Sequence, residues 1–248
     1  MAAVDDARRR AAVATCRRLN AAGLNQGTSG NLSVRVEGGL LITPSGVAYE
    51  QMEPEDLVEL DADGSWHGRH RPSSEWRFHR DVLAARPEVE VVLHAHSTYA
   101  TALACHERGI PPFHYMTAVA GGHDIRVADY ACFGTQALSD AVLLALEGRT
   151  ACLMAHHGLL TVGASLEQAL ALAVEVETLA KMYVHALAIG EPPHLPADEM
   201  DRVLERMRRM SYGRAPDADE GADTPQPSAR RAGVARARAR RHSASRPS

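Results

Sequence analysis

Lysine is almost missing from this chain: of 27 Lys and Arg in 248 residues, only Lys181 is lysine. Schiff-base catalysis and P-loop phosphate binding each need a lysine at a set place, and Lys181 stands in an alanine-rich helical run with no Gly-rich loop before it. Lysine-dependent chemistry is not expected. Cysteine is also sparse, and Cys16, Cys105, Cys132 and Cys152 include no C-x-x-C pair. No apolar run approaches the roughly eighteen residues that span a bilayer. The N-terminus lacks an apolar h-region with a small-residue cleavage site. The expectation is a soluble, reduced, cytoplasmic protein with no membrane partner.

The formal charge of −4 conceals an asymmetry. From Arg214 onward there are eight arginines against Asp217, Asp219, Glu220 and Asp223, so the body of the chain is the acidic part. A mildly acidic body argues against nucleic acid as the main partner. Beyond Gly213 the composition turns to Ala, Pro, Asp, Ser and Arg without periodicity, too little apolar surface to offset ordering entropy. A domain over residues 1–213 followed by a disordered tail, 214–248, is expected. The arginines from Arg230 to Arg241 read as solvated tail rather than as an RNA site.

Within the body, Val4 to Ala22 reads as a helix closed by Gly23. Leu32 to Val36 and Leu40 to Ile42, joined by Glu37-Gly38-Gly39, read as a hairpin. Leu57 to Leu60 is a further strand, and Ser74 to Ala85 a helix stopped by Arg86-Pro87. Val89 to Leu93 is a β-branched run that stops at His94, followed by a helix from Thr98 to Arg108. Ser139 to Leu146 reads as a helix, and Ala151 to Met154 and Leu159 to Val162 as strands flanking His156-His157-Gly158. A long helix over Ser165 to Ile189 and a charged one over Asp198 to Met210 complete the pattern. Helices interspersed with hairpins imply an α/β fold around one sheet with antiparallel pairs.

The 13 histidines matter by placement. His94 and His96 lie two apart at the end of an apolar strand, so continued strand geometry sends both side chains to one face. A lone H-x-H equally fits one core and one exposed histidine. A second pair, His156-His157, follows another apolar strand, and in an extended chain one of its members points to the side of the first pair. Three imidazoles with an open position form a catalytic rather than a structural zinc arrangement. Such a site wants a nearby carboxylate to move protons, and Glu75 is the candidate. At a helix start, Glu75 fits a simple first-turn carboxylate as well.

Two short loops, Gly27-Thr28-Ser29-Gly30-Asn31 and Thr43-Pro44-Ser45-Gly46, stand beside strands, with small residues that let backbone N–H groups approach a ligand. Ser73 and Ser74 at a helix N-terminus offer a third such surface. Each alone is an ordinary turn. Together they suit an anion held by hydroxyls and amides.

These stretches also carry a resemblance. Gly23 to Ser33, Leu41 to Gly46, Pro72-Ser73-Ser74-Glu75-Trp76-Arg77-Phe78-His79, His94-Ala95-His96, Ile110 to Met116, Ala120-Gly121-Gly122 and His156-His157-Gly158-Leu159 resemble the class II aldolase/adducin family in order and spacing. The likeness covers roughly residues 7–189. It implies a three-layer α/β/α domain around a mostly antiparallel sheet, assembled as a cyclic homotetramer with interfacial active sites.

The resemblance further implies that His94, His96 and His157 hold one Zn2+ per subunit, with Glu75 as metal-adjacent acid/base. The substrate phosphate would rest on Gly30, Asn31, Ser45, Gly46, Ser73 and Ser74. Tyr115 would act as acid/base on the aldehyde hydroxyl, Tyr115 and Phe133 would come from a neighbouring subunit, and Tyr212 would close over the site. The implied reaction is reversible cleavage of a ketose 1-phosphate, such as L-fuculose 1-phosphate or a similar deoxy sugar, to dihydroxyacetone phosphate and a short aldehyde. The alternatives are a pentulose-phosphate 4-epimerase or a sugar-phosphate dehydratase on the same scaffold, and a non-catalytic adducin-like interaction module. Two departures from the close pattern, His123 after Gly121-Gly122 and the weakly aromatic Met207 to Met210, fall at the aldehyde end.

Overall fold

The structure, a computed structural model, describes residues 6–210. The expected tail and Tyr212 lie outside them. The chain divides into two units after Arg214, and the described residues all belong to the first. Eight strands form one sheet in the order β4-β3-β2-β1-β5-β8-β7-β6. The strands are β1 (Asn31–Val36), β2 (Gly39–Ile42), β3 (Val58–Asp61), β4 (Trp66–His67), β5 (Val91–Ala95), β6 (Arg126–Ala128), β7 (Ala151–Met154) and β8 (Gly158–Gly163). All neighbours are antiparallel except β6 and β7. The central strand β5 is buried along its whole length.

Alternation along the strands divides the interior into two layers. Leu32, Val34, Leu41, Val91, Leu93 and Leu153 face one core with α1 (Asp6–Ala21), α3 (Thr98–Ala104) and α5 (Leu166–Leu187). Leu40, Ile42, Val92, Cys152, Met154 and Leu160 face the other with α2 (Trp76–Ala85) and α4 (Gln136–Ala145). The architecture is therefore α/β/α around a mostly antiparallel sheet. A period of two sends neighbouring residues of one strand into different cores.

The helices form where the sequence caps and stripes them. Ser165 accepts from the Gln168 N–H at the start of α5, and Thr135 caps α4 by accepting from the Leu138 N–H. Ala169, Ala173, Val176 and Ala180 lie on the buried side of α5, small enough to let it approach the sheet. α2 buries Phe78, His79, Val82 and Leu83 as a single stripe. Gly23, at φ 71°, ends α1 in the left-handed conformation that favours glycine.

The differences from sequence expectation are local. The run after Pro87 begins pairing at Val91 and continues through His94 to Ala95, because β1 on one side and β8 on the other supply partners that far. The helix at Thr98 stops at Ala104, with Glu107 at φ 51° turning the chain. β4 and β6 carry no alternating apolar pattern in their two and three residues, and only pairing to β3 and β7 makes them strands. The charged helix expected over Asp198 to Met210 is α6 (Ala197–Arg209), and its side chains are mostly exposed or half-buried.

Candidate metal centre and adjoining pocket

Strand β5 carries His94 one residue before its end, at 0% exposure, on the sheet face that looks at α2. His96 follows on the same side, with ring centroids 4.8 Å apart. The third imidazole arrives by a different route from the extended chain expected. β7 and β8 join in a tight turn, the His157 N–H bonds to the Met154 carbonyl at 3.0 Å, and His156 takes a left-handed φ of 54°. That turn, rather than strand alternation, aims His157 inward, 4.7 Å from the His94 ring and 5.1 Å from the His96 ring. His156 points outward, with Nε2 3.3 Å from Glu107. A left-handed non-glycine residue is strained, and strain of this kind collects at functional turns.

Candidate ligand atoms of His94, His96 and His157 all lie within 4.8 Å of one another. His94 Nδ1 donates to the Leu159 carbonyl at 2.8 Å, which leaves Nε2 as the lone-pair nitrogen facing the cluster. His94 is held neutral far below its ordinary range, by burial first and then by His157 and His96. His96 is shifted the same way, by burial and by His157. Neutral imidazoles are the protonation state that binds a metal.

Glu75 resolves the two readings its sequence position left open. Helix α2 starts at Trp76, and Glu75, at φ −97° and ψ 13°, makes no side-chain cap. Its carboxylate turns into the site instead, at 6% residue exposure. Oε2 accepts from Asn31 Nδ2 at 2.9 Å and stands 3.3 Å from His94 Nε2. Oε1 stands 3.2 Å from His157 Nε2 without hydrogen-bond geometry, so it is a buried oxygen with no donor. An orphaned carboxylate oxygen beside three converging imidazoles is the donor chemistry a divalent cation satisfies.

Neighbouring contacts hold this centre in place. Asn25 Oδ1 accepts from the His96 N–H at 3.3 Å, and a Cβ at Gly30 would come within 2.6 Å of the His94 carbonyl, so Gly30 must be glycine. Glu177 of α5 accepts from Ser97 Oγ and from the Tyr99 and Ala100 N–H groups at 2.7–2.9 Å, which fixes the chain directly after His96. Asn31 reaches beyond Glu75: its Oδ1 is 2.5 Å from His79 Nε2, and His79 Nδ1 is 2.8 Å from Ser33 Oγ. His79 and Ser33 are wholly buried, and burial with the nearby His94 lowers the His79 pKa to about 3, although Glu75 opposes the shift.

A pocket of about 340 Å³ opens over the centre, with Glu75, His96 and His157 in its lining. One side carries Thr28, Ser29, Gly30, Ser45, Gly46, Ser73 and Ser74. The sequence pointed to that side, and no lysine or arginine stands among the lining residues. The Ser45 and Ser73 N–H groups are committed to the Arg71 and Thr43 carbonyls, which leaves hydroxyls and the remaining amides for a ligand. Asn31 lines the pocket, but its side chain is held by Glu75 and His79 rather than free to grip a phosphate.

The other side is Tyr130, Ala131, Phe133 and His156. Phe133 was expected from a neighbouring subunit, and the structure places it on the pocket of its own chain. A Cβ at Gly134 would meet the Ser74 carbonyl at 2.7 Å, and Arg77 donates to the Gly134 carbonyl at 2.7 Å, so this loop packs onto the start of α2. Tyr115 is 51% exposed at the start of the 3-10 helix Tyr115–Ala120 and is absent from the lining. His123 lies 2.8 Å from Asp201 of α6, also away from the pocket. The sequence gives no role to Tyr130, or to His79 beyond its place in the Pro72 to His79 motif. An aromatic pair in a Gly-ended loop of an aromatic-poor chain, and a histidine four residues after Glu75 on a buried helix stripe, were the signals.

Thiol chemistry has no place in the centre. Burial pushes the Cys152 thiol up to about 12 and Cys16 higher still, and Cys105 and Cys132 are outside the lining. The α/β/α fold, the three imidazoles with a buried carboxylate, and the hydroxyl-lined pocket above them define a metal-dependent lyase of the class II aldolase type. The chain belongs to the class II aldolase and adducin family, whose N-terminal domain matches residues 10–184.

Over 197 residues it is 55% identical to the 5-methylthioribulose-1-phosphate/5-deoxyribulose-1-phosphate aldolase of Rhodospirillum rubrum, covering 79% of this chain and 88% of that one. Over 200 residues it is 46% identical to the L-fuculose phosphate aldolase of Escherichia coli K12, covering 80% and 92%. A solved structure of L-fuculose 1-phosphate aldolase superposes with a TM-score of 0.80 at 38% identity, covering 83% of this chain and 98% of that one.

Proposed function

We propose that this chain cleaves a deoxy-ketose 1-phosphate, of the L-fuculose 1-phosphate or 5-deoxyribulose 1-phosphate kind, to dihydroxyacetone phosphate and a short aldehyde. The observation that carries this reading is the orphaned Glu75 Oε1 beside three converging imidazoles under an anion-suited pocket. The two curated relatives named above act on such sugars by their names. Tyr130, Ala131 and Phe133 give the end opposite the hydroxyl side an apolar character, which suits a substrate whose last carbon lacks a hydroxyl.

His94, His96 and His157 hold the metal in this reading, with Glu75 able to complete the set, and three nitrogens plus a carboxylate favour Zn2+. The metal supplies positive charge for the oxygens that become anionic as the carbon–carbon bond breaks. Ser45, Gly46, Ser73, Ser74 and Gly30 grip the phosphate and fix the reacting end. Glu75 delivers a proton to the dihydroxyacetone phosphate carbon on cleavage and withdraws it in the synthetic direction. Tyr115 of a neighbouring chain in a homotetramer takes the proton of the hydroxyl that becomes the aldehyde. Phe133 and Tyr212 shield the site, and residues 1–213 form the catalytic domain of a cytoplasmic enzyme.

His96→Ala is expected to lose metal and activity together, measured by metal analysis and release of dihydroxyacetone phosphate in a coupled assay. Glu75→Gln is expected to keep its metal and slow cleavage by about a hundredfold or more, the scale of general acid/base groups. Near-normal turnover of the glutamine variant, or epimerised pentulose phosphate with no dihydroxyacetone phosphate from any ketose 1-phosphate, would overturn the reading. Purified protein that takes up no metal would favour an adducin-like module instead.

A further inference from the structure

Behind the metal centre, three buried side chains, of which Ser33 and His79 have no assigned part in the chemistry, lie in a row that ends on Glu75. Ser33 is on β1, His79 on the buried stripe of α2, and Asn31 at the first position of β1. Their separations are 2.8 Å from Ser33 Oγ to His79 Nδ1, 2.5 Å from His79 Nε2 to Asn31 Oδ1, and 2.9 Å from Asn31 Nδ2 to Glu75 Oε2. Ser33 and His79 are 0% exposed and Asn31 is 4%. His79 is not part of the pocket lining and cannot touch a substrate there.

Donor and acceptor capacities give this row one polarity. A carboxylate only accepts, so the end of the Asn31 amide that faces Glu75 must be its NH2 group. The other end, Oδ1, only accepts, so His79 must donate to it from Nε2. In a neutral imidazole Nδ1 is then the acceptor, and the Ser33 hydroxyl donates to it. Burial keeps His79 neutral. A reversed Asn31 amide would set oxygen against carboxylate and NH2 against the His79 N–H. Two hydrogen bonds would be exchanged for two repulsions.

We propose that His79 is a positioning residue for Glu75: through Asn31 it secures carboxylate oxygen Oε2 and leaves Oε1 free to face the histidine cluster and the pocket. The proposal rests on the aldolase reading of Glu75. Its physical content is pre-organisation: a carboxylate that moves a proton at carbon must be held within a fraction of an ångström, and displacement alone costs rate. Asn31 by itself rotates about its terminal torsion. The His79 N–H selects one of its two amide orientations.

The test uses the full chain with its metal and two probes, L-fuculose 1-phosphate and 5-deoxyribulose 1-phosphate. His79→Leu is expected to lower kcat about tenfold or more, with KM within about twofold and metal content unchanged. His79→Gln, whose amide can donate to Asn31 and accept from Ser33, is expected to recover to within a few-fold of wild type. In an Asn31→Ala background, His79→Leu is expected to cost less than about twofold, because a residue that acts through Asn31 has nothing left to position.

Equal losses in both backgrounds, or an undiminished kcat in folded His79→Leu, would overturn the proposal. A second measurement needs neither activity nor the leucine variant. Nitrogen-15 NMR of the metal-free wild type, with the His79 signals assigned by their loss in His79→Gln, is expected to show the neutral tautomer protonated at Nε2. The Nδ1-protonated tautomer cannot donate to Asn31 and would refute the row. Wild-type protein that cleaves neither probe removes the aldolase reading, and the tautomer still decides whether His79 holds Asn31.

Discussion

Glu75 and His79 stand four residues apart at the start of one helix, and their burial separates their roles from those of the exposed side chains around them. Glu75 is nearly enclosed yet has one oxygen without a donor, whereas His79 has a partner at each ring nitrogen. Lys181 shows the opposite case: it is exposed on α5 with its ammonium 5.6 Å from the Tyr99 ring centre, and it is absent from the pocket lining. Position therefore repeats what scarcity had implied about lysine chemistry. His79 also carries a pH dependence with a definite sign. Its folded pKa of about 3 lies below the roughly 6.5 of an unfolded imidazole, so the unfolded chain takes up a proton that the folded chain refuses. The stability contributed by neutral His79 is present above about pH 6.5 and is lost as pH falls toward 3. Urea unfolding of metal-free protein is expected to show the wild-type advantage over His79→Gln shrinking from pH 7 to pH 4. A pH-independent gap would contradict a buried neutral ring.

At the scale of elements, the site depends on how α2 is fastened. Its inner stripe packs on the sheet through Phe78, Val82 and Leu83, while Asp81 ties it sideways to α4. Asp81 accepts from Ser139 Oγ and Gln136 Nε2, both at 2.7 Å. Burial raises the Asp81 pKa, but the bonds from Arg80, Ser139 and Gln136 together outweigh it and hold the carboxyl below its ordinary range. A depressed carboxylate stabilises the fold above its unfolded pKa of about 3.9, and the contribution disappears as pH falls through the lower folded value. Asp81→Ala is expected to cost about 1–3 kcal/mol at pH 7, the worth of hydrogen bonds to a charged group, and markedly less in the same denaturation experiment near pH 3. The β7–β8 turn is the other decisive element. Strand runs on both sides of His156-His157 were legible, because short continuous apolar runs bounded by turns mark buried strands. The left-handed turn that selects His157 was not, since glycine or asparagine is the usual marker of positive φ and His156 is neither.

At the scale of the molecule, one chain supplies the metal centre, the hydroxyl side and the Phe133 side of the pocket, but leaves Tyr115 outside it. If Tyr115 is delivered by a neighbouring subunit, two inactive chains should repair one another. Co-expressed Tyr115→Phe and Glu75→Gln chains are expected to form mixed oligomers that regain a clear fraction of wild-type activity, whereas separately purified variants mixed without exchange should not. Absence of recovery in verified mixed oligomers would place Tyr115 in its own chain's site or outside the chemistry. The sequence by itself determined one sheet with interspersed helices and antiparallel hairpins, the apolar strand run followed by His94 and His96, the hydroxyl-rich loops and the candidacy of Glu75, because hydrophobic period and residue chemistry are local properties, while its resemblance to a known family implied the three layers. Only the tertiary structure decided which way Glu75 turns, which histidine of the second pair faces inward, that Phe133 lines its own pocket, and that Ser33, His79 and Asn31 form a row. The direction of Glu75 and the row depend on pairing across 44 to 48 positions of sequence, as between Asn31 and Glu75 or Asn31 and His79, which no local pattern encodes, and the inward histidine depends on a left-handed turn that no residue type there marks.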